Sequence, residues 1–317
     1  MIACLKVKRH DKDEIEDGQT IFIKNGGALL EELIAFCNGR SNPIRHFSAK
    51  ELSKATNNYD RRQMLVYDFG YKLYKGSLRD CSIIVKKYHD SSLPEFAVQP
   101  YKGIAVGSQM SAHRNVLKVL GCCLETKQPT VVYESGGTKT LYTCISTTNV
   151  ESIPWKCRLK IARDLASAVA YLHTAFSRPV IHRDIRSSNV ILDQNNVPKL
   201  IDFGLCISIP EGESHVEDAV LGRTGHLAPE YAARGYLTEK VDVYQFGMLL
   251  FELLNGSGPL FCFIEGKFVA IDNLNLDKLS NLVYNRIKNE GIEQEQLLDF
   301  ETFSLDASPL TTKRGQQ

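Results

Sequence analysis

A chain of 317 residues, 43% hydrophobic and 24% charged, is long enough to bury one large core or two lobes of ordinary size. A net charge of +1 leaves neither sign dominant, which excludes a surface built for nucleic acid or strongly drawn to an anionic membrane. The nine cysteines, an odd number with no metal-ligand or secreted-scaffold spacing, read as buried thiols.

The N-terminus "MIACLKVKRHDKDEIEDG" has five residues before its first lysine, too few for a signal-peptide core. The apolar runs fall short of a bilayer span, so no transmembrane segment is expected and the chain is placed in the cytoplasm. Ile2 stands where myristoylation requires glycine, and Cys4 reads as an ordinary thiol rather than a lipid site. Mixed charges without periodicity predict a mobile lead-in through about residue 25. In "NGGALLEELIAFCNG" a helical period puts Leu29, Leu30, Leu33, Ile34 and Cys37 on one face, with Asn38-Gly39 as its stop. That face either packs on the body of the same chain or is offered to a partner protein. Next, "FSAKEL" carries a capping box, Ser48 with Glu51, and a hydrophobic staple, Phe47 with Leu52; it predicts a second helix running through "ELSKATNNY".

From about residue 62 the pattern changes to strands: "QMLVYDFGYKLYKG", "CSIIVKKY", "NVLKVLGCCLE" and "PTVVYES". These predict a small antiparallel sheet. Past Pro154 the apolar residues recur at three and four, first in "WKCRLKIARDLASAVAYLHTAF" and later in "VDVYQFGMLLFELL", so the second half is mainly helical. The expected organisation is an extension over 1–45, a strand-rich lobe over 46–135 and a helix-rich lobe over 136–317.

At "IHRDIRSSNVILD" and "KLIDFG" the chain resembles the eukaryotic protein kinases: His182, Arg183, Asp184, Asn189, Asp202, Phe203, Gly204, Ala228, Pro229 and Glu230 reproduce H-R-D, its asparagine, D-F-G and A-P-E in order. "KATNNY", "LGCCLE" and "YLHTAF" narrow the resemblance to plant receptor-like cytoplasmic kinases of the wall-associated-kinase branch. The resemblance implies an α+β, bilobal, protein-kinase-like fold, with an antiparallel-sheet N-lobe and a mainly helical C-lobe. It also implies two further C-terminal helices, whose arginine pairs with the A-P-E glutamate; the C-lobe is therefore expected to lack its last helices, leaving Glu230 without that partner.

The resemblance assigns roles position by position. Asp184 would take the proton of a substrate hydroxyl, and Asn189 and Asp202 would hold magnesium on the nucleotide phosphates. Arg186 stands near the transferred phosphate in place of a lysine, and Lys86 falls on the phosphate-contacting lysine of V-A-I-K. Val66, Leu73, Ile84 and Glu134 fall on the remaining nucleotide positions. The departures gather around that same nucleotide. Val66, Asp68 and Tyr71 replace the three loop glycines, with Gly70 one residue out of register, so Asp68 is expected to repel a phosphate and Tyr71 to add bulk beside it. Ile84 adds carbons where alanine normally lies against adenine. Ile104, beside Gly103, replaces the αC glutamate, which leaves Lys86 to pair with Asp202 instead. In the activation segment Glu217 and Asp218 replace phospho-acceptors; they read first as two solvated acids, and otherwise as a charge imitating phosphate beside Arg183. Arg223 replaces a threonine that touches the catalytic aspartate, which disturbs substrate seating.

Together these imply a pseudokinase scaffold with weak or no ATP binding; the alternative is an active Ser/Thr kinase using ATP and Mg2+. The N-terminal region is similar to plant kinase-like adaptors of coiled-coil nucleotide-binding leucine-rich-repeat (NLR) immune receptors. That similarity implies such a receptor, and other receptor-like cytoplasmic kinases, as protein partners, with recruitment through them to the inner face of the plasma membrane.

Overall fold

A computed structural model describes residues 18–37, 44–68, 70–89, 99–137, 139–146, 153–223, 225–255, 261–264 and 267–270. The chain begins with α1 (Gly18–Cys37), which starts earlier than the charge pattern suggests and takes in residues read as lead-in. Strand β1 (Arg45–His46) and helix α2 (Ala49–Ala55) follow. The predicted capping box is present: the Glu51 amide donates to Ser48 Oγ at 3.1 Å, and the Ser48 amide donates to Glu51 Oε2 at 3.0 Å. Phe47 and Leu52 share one buried cluster, as a staple requires. Helix α2 stops at Ala55 rather than continuing to Tyr59, because Asn57, Asn58 and Tyr59 turn to φ of 51°, 56° and 56°. Such left-handed backbone suits asparagine and ends a right-handed helix.

The N-lobe sheet contains β2 (Met64–Tyr67), β3 (Tyr71–Leu78), β4 (Cys81–Tyr88), β5 (Val119–Cys123) and β6 (Thr130–Glu134), with α3 (Pro100–Met110) crossing between β4 and β5. Its order is β1-β5-β6-β4-β3-β2, antiparallel except that β1 lies parallel to β5 at the edge. Sequence periodicity could not reveal that short addition.

The C-lobe begins with β7 (Lys139–Thr140), α4 (Leu141–Ser146) and α5 (Trp155–Thr174), and continues through β8 (Val180–Ile181), β9 (Val190–Leu192) and β10 (Pro198–Leu200). Then come β11 (Ile207–Ser208), β12 (Val216–Glu217), α6 (Pro229–Arg234), β13 (Tyr236–Leu237), α7 (Glu239–Asn255) and the hairpin of β14 (Phe261–Ile264) with β15 (Lys267–Ala270). Apolar faces of α5 and α7 form the main core: Ile161, Leu165, Leu172, Leu249 and Leu253 are buried together with Phe203. The expectation that the C-lobe lacks its last helices bears on its C-terminal end, and residues 271–317 there lie outside the described residues.

Helix α1 does not present the single face expected. Leu29 is buried, and Leu33 packs beside it on the N-lobe cluster, but Leu30 and Ile34 are 58% and 56% exposed; the side chain of Cys37 lies outside the described set. The buried face is anchored by Asn25, whose amide donates to Leu124 O at 2.8 Å and accepts the Tyr101 hydroxyl at 2.6 Å. A separate, exposed stripe carries Ile23, 65% exposed, with Leu30 and Ile34. The thiols also differ from expectation. Cys122, Cys123 and Cys206 are buried, whereas Cys81 is exposed and Cys144 and Cys157 are intermediate. Burial pushes the Cys122 thiol up to about 12, leaving it protonated and unreactive.

Candidate functional site

The catalytic loop lies between β8 and β9 and is held from below by α7. Asp242, fully buried, takes the amides of His182 at 2.8 Å and Arg183 at 2.9 Å, and accepts from His173 Nε2 at 2.8 Å. Gln245 accepts the Ile185 amide at 2.9 Å and donates to Arg183 O at 2.7 Å; Glu252 accepts the Ser187 amide at 3.0 Å. These contacts fix a loop that would not hold its own shape. Arg183 has φ of 71° and Asp202 φ of 68°, left-handed values that cost about 1–3 kcal/mol each unless surrounding contacts impose them. The roles of Asp242, Gln245 and Glu252 were missed from sequence. A signal was present: two acids and an amide interrupt the otherwise apolar "VDVYQFGMLLFELL", and a polar group buried on such a helix requires a partner.

Asp184, Asn189, Arg186, Asp202 and Lys86, the positions that the resemblance assigns to one site, lie together and bond among themselves. Asn189 Nδ2 donates to Asp184 Oδ2 at 2.6 Å and to Asp184 O at 2.8 Å. Arg186 Nε donates to Asp184 Oδ1 at 2.9 Å, so this arginine is engaged with the aspartate. Burial opposes ionisation of Asp184, yet the Arg186 guanidinium and the Asn189 amide hold its carboxyl below the ordinary carboxylate range. A depressed pKa contributes stability above the unfolded value of about 3.9 and loses it as pH falls through the lower, folded value. Urea unfolding followed below pH 4 should therefore show a steeper acid loss of stability in the native chain than in Asp184→Asn.

Lys86, 1% exposed, forms an ion pair with Asp202 Oδ1, the pairing expected when the αC glutamate is absent. Its ammonium also lies 3.9 Å from the Tyr71 ring centroid and 4.6 Å from that of Tyr88. Two aromatic faces thus supply part of the stabilisation that a glutamate would give. Ile104 is fully buried in the N-lobe cluster. The neighbouring Gly103 lets α3 lie against the D-F-G backbone, since a Cβ there would meet Gly204 N and Cα at 3.2 Å.

The glycine-loop counterpart corrects the electrostatic expectation. Asp68 is not a bare charge facing a phosphate position: its Oδ2 accepts Arg186 Nη2 at 2.8 Å and its Oδ1 accepts Arg223 Nη2. Arg223 therefore reaches across to the N-lobe hairpin. Tyr71 adds the expected bulk and also a bond, its hydroxyl donating to Asn189 Oδ1 at 2.8 Å. Leu73, Ile84 and Tyr133 of the N-lobe join Ile191 and Ile201 of the C-lobe in one buried cluster, with Val66 packed at its margin. Glu134, at the end of β6, is 38% exposed and accepts the Lys118 amide at 3.3 Å. A cleft of about 400 Å3 lies between Val66, Asp68, Tyr142, Arg186, Arg223 and His226.

In the activation segment the two acids separate. Asp218 Oδ2 pairs with Arg183 Nη1 at 2.7 Å, while Arg183 Nη2 donates to Ala219 O at 2.9 Å and to the Tyr231 hydroxyl at 2.6 Å. Thus Asp218 is not merely solvated; its carboxylate is paired with Arg183, with fewer acceptors than a phosphate offers. Glu217 is exposed on β12. Among the described residues no group of three or more His, Cys, Asp or Glu side chains is placed to hold a metal ion, and no helix is long and apolar enough to cross a membrane.

Residues 66–286 match the family model for protein tyrosine and serine/threonine kinases. Over 274 residues the chain is 43% identical to an Arabidopsis thaliana protein named "Non-functional pseudokinase ZED1", covering 86% of this chain and 80% of the relative. It is 37% identical over 277 residues to the Arabidopsis thaliana "Serine/threonine-protein kinase ZRK1", covering 85% and 79%. A third similarity, 38% identity over 263 residues, is to the Arabidopsis thaliana "Wall-associated receptor kinase 2", with 83% of this chain and 36% of that longer protein covered.

Proposed function

The chain belongs to the protein kinase superfamily, on its wall-associated-kinase-like branch, and from that premise we propose that it is a pseudokinase whose work is done by its surfaces. One observation carries the reading: the groups that would receive Mg-ATP are joined to each other across the lobe junction. Tyr71 occupies Asn189 Oδ1, Lys86 occupies Asp202 Oδ1, and Ile84 belongs to a cluster that runs from one lobe to the other. These residues do not fit Mg-ATP as they stand, and we assign no step to it. Phosphoryl-transfer catalysis is almost wholly positioning and electrostatics, so a site already bonded to itself has little left to offer. The competing reading, an active Ser/Thr kinase, draws on the retained Asp184 and on the catalytic loop that Asp242 keeps in shape. It requires Tyr71, Lys86 and Asp68 all to exchange partners before nucleotide enters.

The adaptor reading extends this. Resemblance suggests a coiled-coil NLR receptor and other receptor-like cytoplasmic kinases as partners in plant immune signalling, at the cytoplasmic face of the membrane. Helix α1 supports it, because Ile23, Leu30 and Ile34 form a second apolar stripe, exposed and separate from the buried one. An amphipathic surface helix turns polar residues outward, and a stripe of this kind gains by being covered.

Thermal unfolding in Mg-ATP tests the nucleotide reading. A binder at about 100 times its dissociation constant gains about 2.7 kcal/mol, which raises Tm by roughly 4 °C in a chain of 317 residues. We expect no such shift, and its appearance would move the assignment to the enzyme. In a second arm, Asp184→Ala should still co-purify with a co-expressed coiled-coil NLR; loss of that capture would show that the interaction needs the intact catalytic loop.

A further inference from the structure

We infer that the β2–β3 hairpin is an inter-lobe latch: Asp68 clamps Arg186 and Arg223, Tyr71 clamps Asn189, and together they hold the lobes closed without nucleotide. The inference rests on the reading of the cleft as closed to Mg-ATP and adds to it a gain. A glycine-rich loop has no side chains with which to cross the junction, whereas this hairpin crosses it at two points. Asp68 reaches Arg186, 118 positions away in sequence, and Arg223, 155 away; Tyr71 reaches Asn189, 118 away.

The hairpin is itself rigid enough to serve. The Asp68 amide donates to Tyr71 O at 2.9 Å, His89 Nε2 lies 2.9 Å from Asp68 O, and the His89 amide donates to Gly70 O at 3.1 Å. Strand β3 pairs with β4 from Tyr71–Tyr88 to Leu78–Cys81, so a pull on the tip is borne by the centre of the sheet. On the other side Arg186 and Asn189 belong to the loop fixed by α7. The charges alternate along the junction, Arg223 to Asp68 to Arg186 to Asp184. The Asp68 and Arg186 side chains are only 10% and 9% exposed, so solvent screens their pair little. Arg223, 29% exposed, closes the outer end. A surface assembled from both lobes is thereby held in one geometry with no ligand present.

Hydrogen exchange read by mass spectrometry on the full chain tests the latch, using Asp68→Ala, the near-isosteric Asp68→Asn and Arg223→Gln. Asp68→Asn keeps the hairpin's shape and serves if the alanine variant does not fold. The expected result is at least tenfold faster exchange in both the hairpin, 64–74, and the catalytic loop, 182–190, with the interior of α5 unchanged. No change, acceleration confined to the hairpin, or equal acceleration throughout the chain would overturn the latch. The Mg-ATP titration of the native chain judges the nucleotide reading separately. A large stabilisation there counts against that reading, while the exchange data still decide whether the hairpin joins the lobes.

Discussion

Asp242→Ala is expected to destabilise the chain by about 3–5 kcal/mol, although Asp242 is not one of the positions assigned to nucleotide or substrate. Its carboxylate, fully buried, receives the buried amides of His182 and Arg183 together with the part-buried His173 Nε2. Alanine leaves two buried amides without an acceptor, each costing about 1–3 kcal/mol. It also removes the contact that holds Arg183 at φ of 71°. Arg183 then swings away from Asp218 and Tyr231, so the damage passes from α7 to the activation segment. Asp242→Asn retains one acceptor oxygen and should cost roughly half as much. Urea unfolding gives both values, and hydrogen exchange over 181–185 shows where the loss begins; an alanine variant within about 1 kcal/mol of the native chain would contradict the account.

Lys86→Met should cost a similar amount, about 3–5 kcal/mol, for an electrostatic reason. The ammonium is 1% exposed and lies between Asp202 and the rings of Tyr71 and Tyr88. Methionine fills much of the space but leaves Asp202, 5% exposed, with its charge uncompensated. The double variant Lys86→Met with Asp202→Asn removes both charges and should recover at least half of the loss. Equal instability in single and double variants would show that packing against the tyrosines, not the ion pair, sets the cost. In this chain the lysine is read as a structural cation, so the substitution registers as stability rather than as lost turnover.

Which parts were legible follows from distance along the chain. The Ser48–Glu51 capping box, the strands around Lys86 and the H-R-D and D-F-G segments could be read because the groups involved are neighbours in sequence. Even the Lys86–Asp202 pair could be anticipated, since removing the glutamate left the lysine one acid in the family's geometry. Asp68 was misjudged as a naked charge because its two arginines lie 118 and 155 positions away. Asp218 was first read as solvated for the same reason, its partner Arg183 being 35 positions upstream. Helix α1 failed differently: its period identified a helix, but apolar residues on both sides left the choice of buried face to the neighbours it meets, α3 and the β5–β6 connection.

By itself the sequence determined the kinase class, the positions of Asp184, Asn189, Asp202 and Lys86, and the absence of glycines where a phosphate would approach, because each is a local pattern of side-chain type and spacing. Tertiary structure alone decided what replaced those glycines. Only when the lobes meet do Asp68, Arg186 and Arg223 come within bonding distance, and a buried charge takes its meaning from the charges that surround it in space.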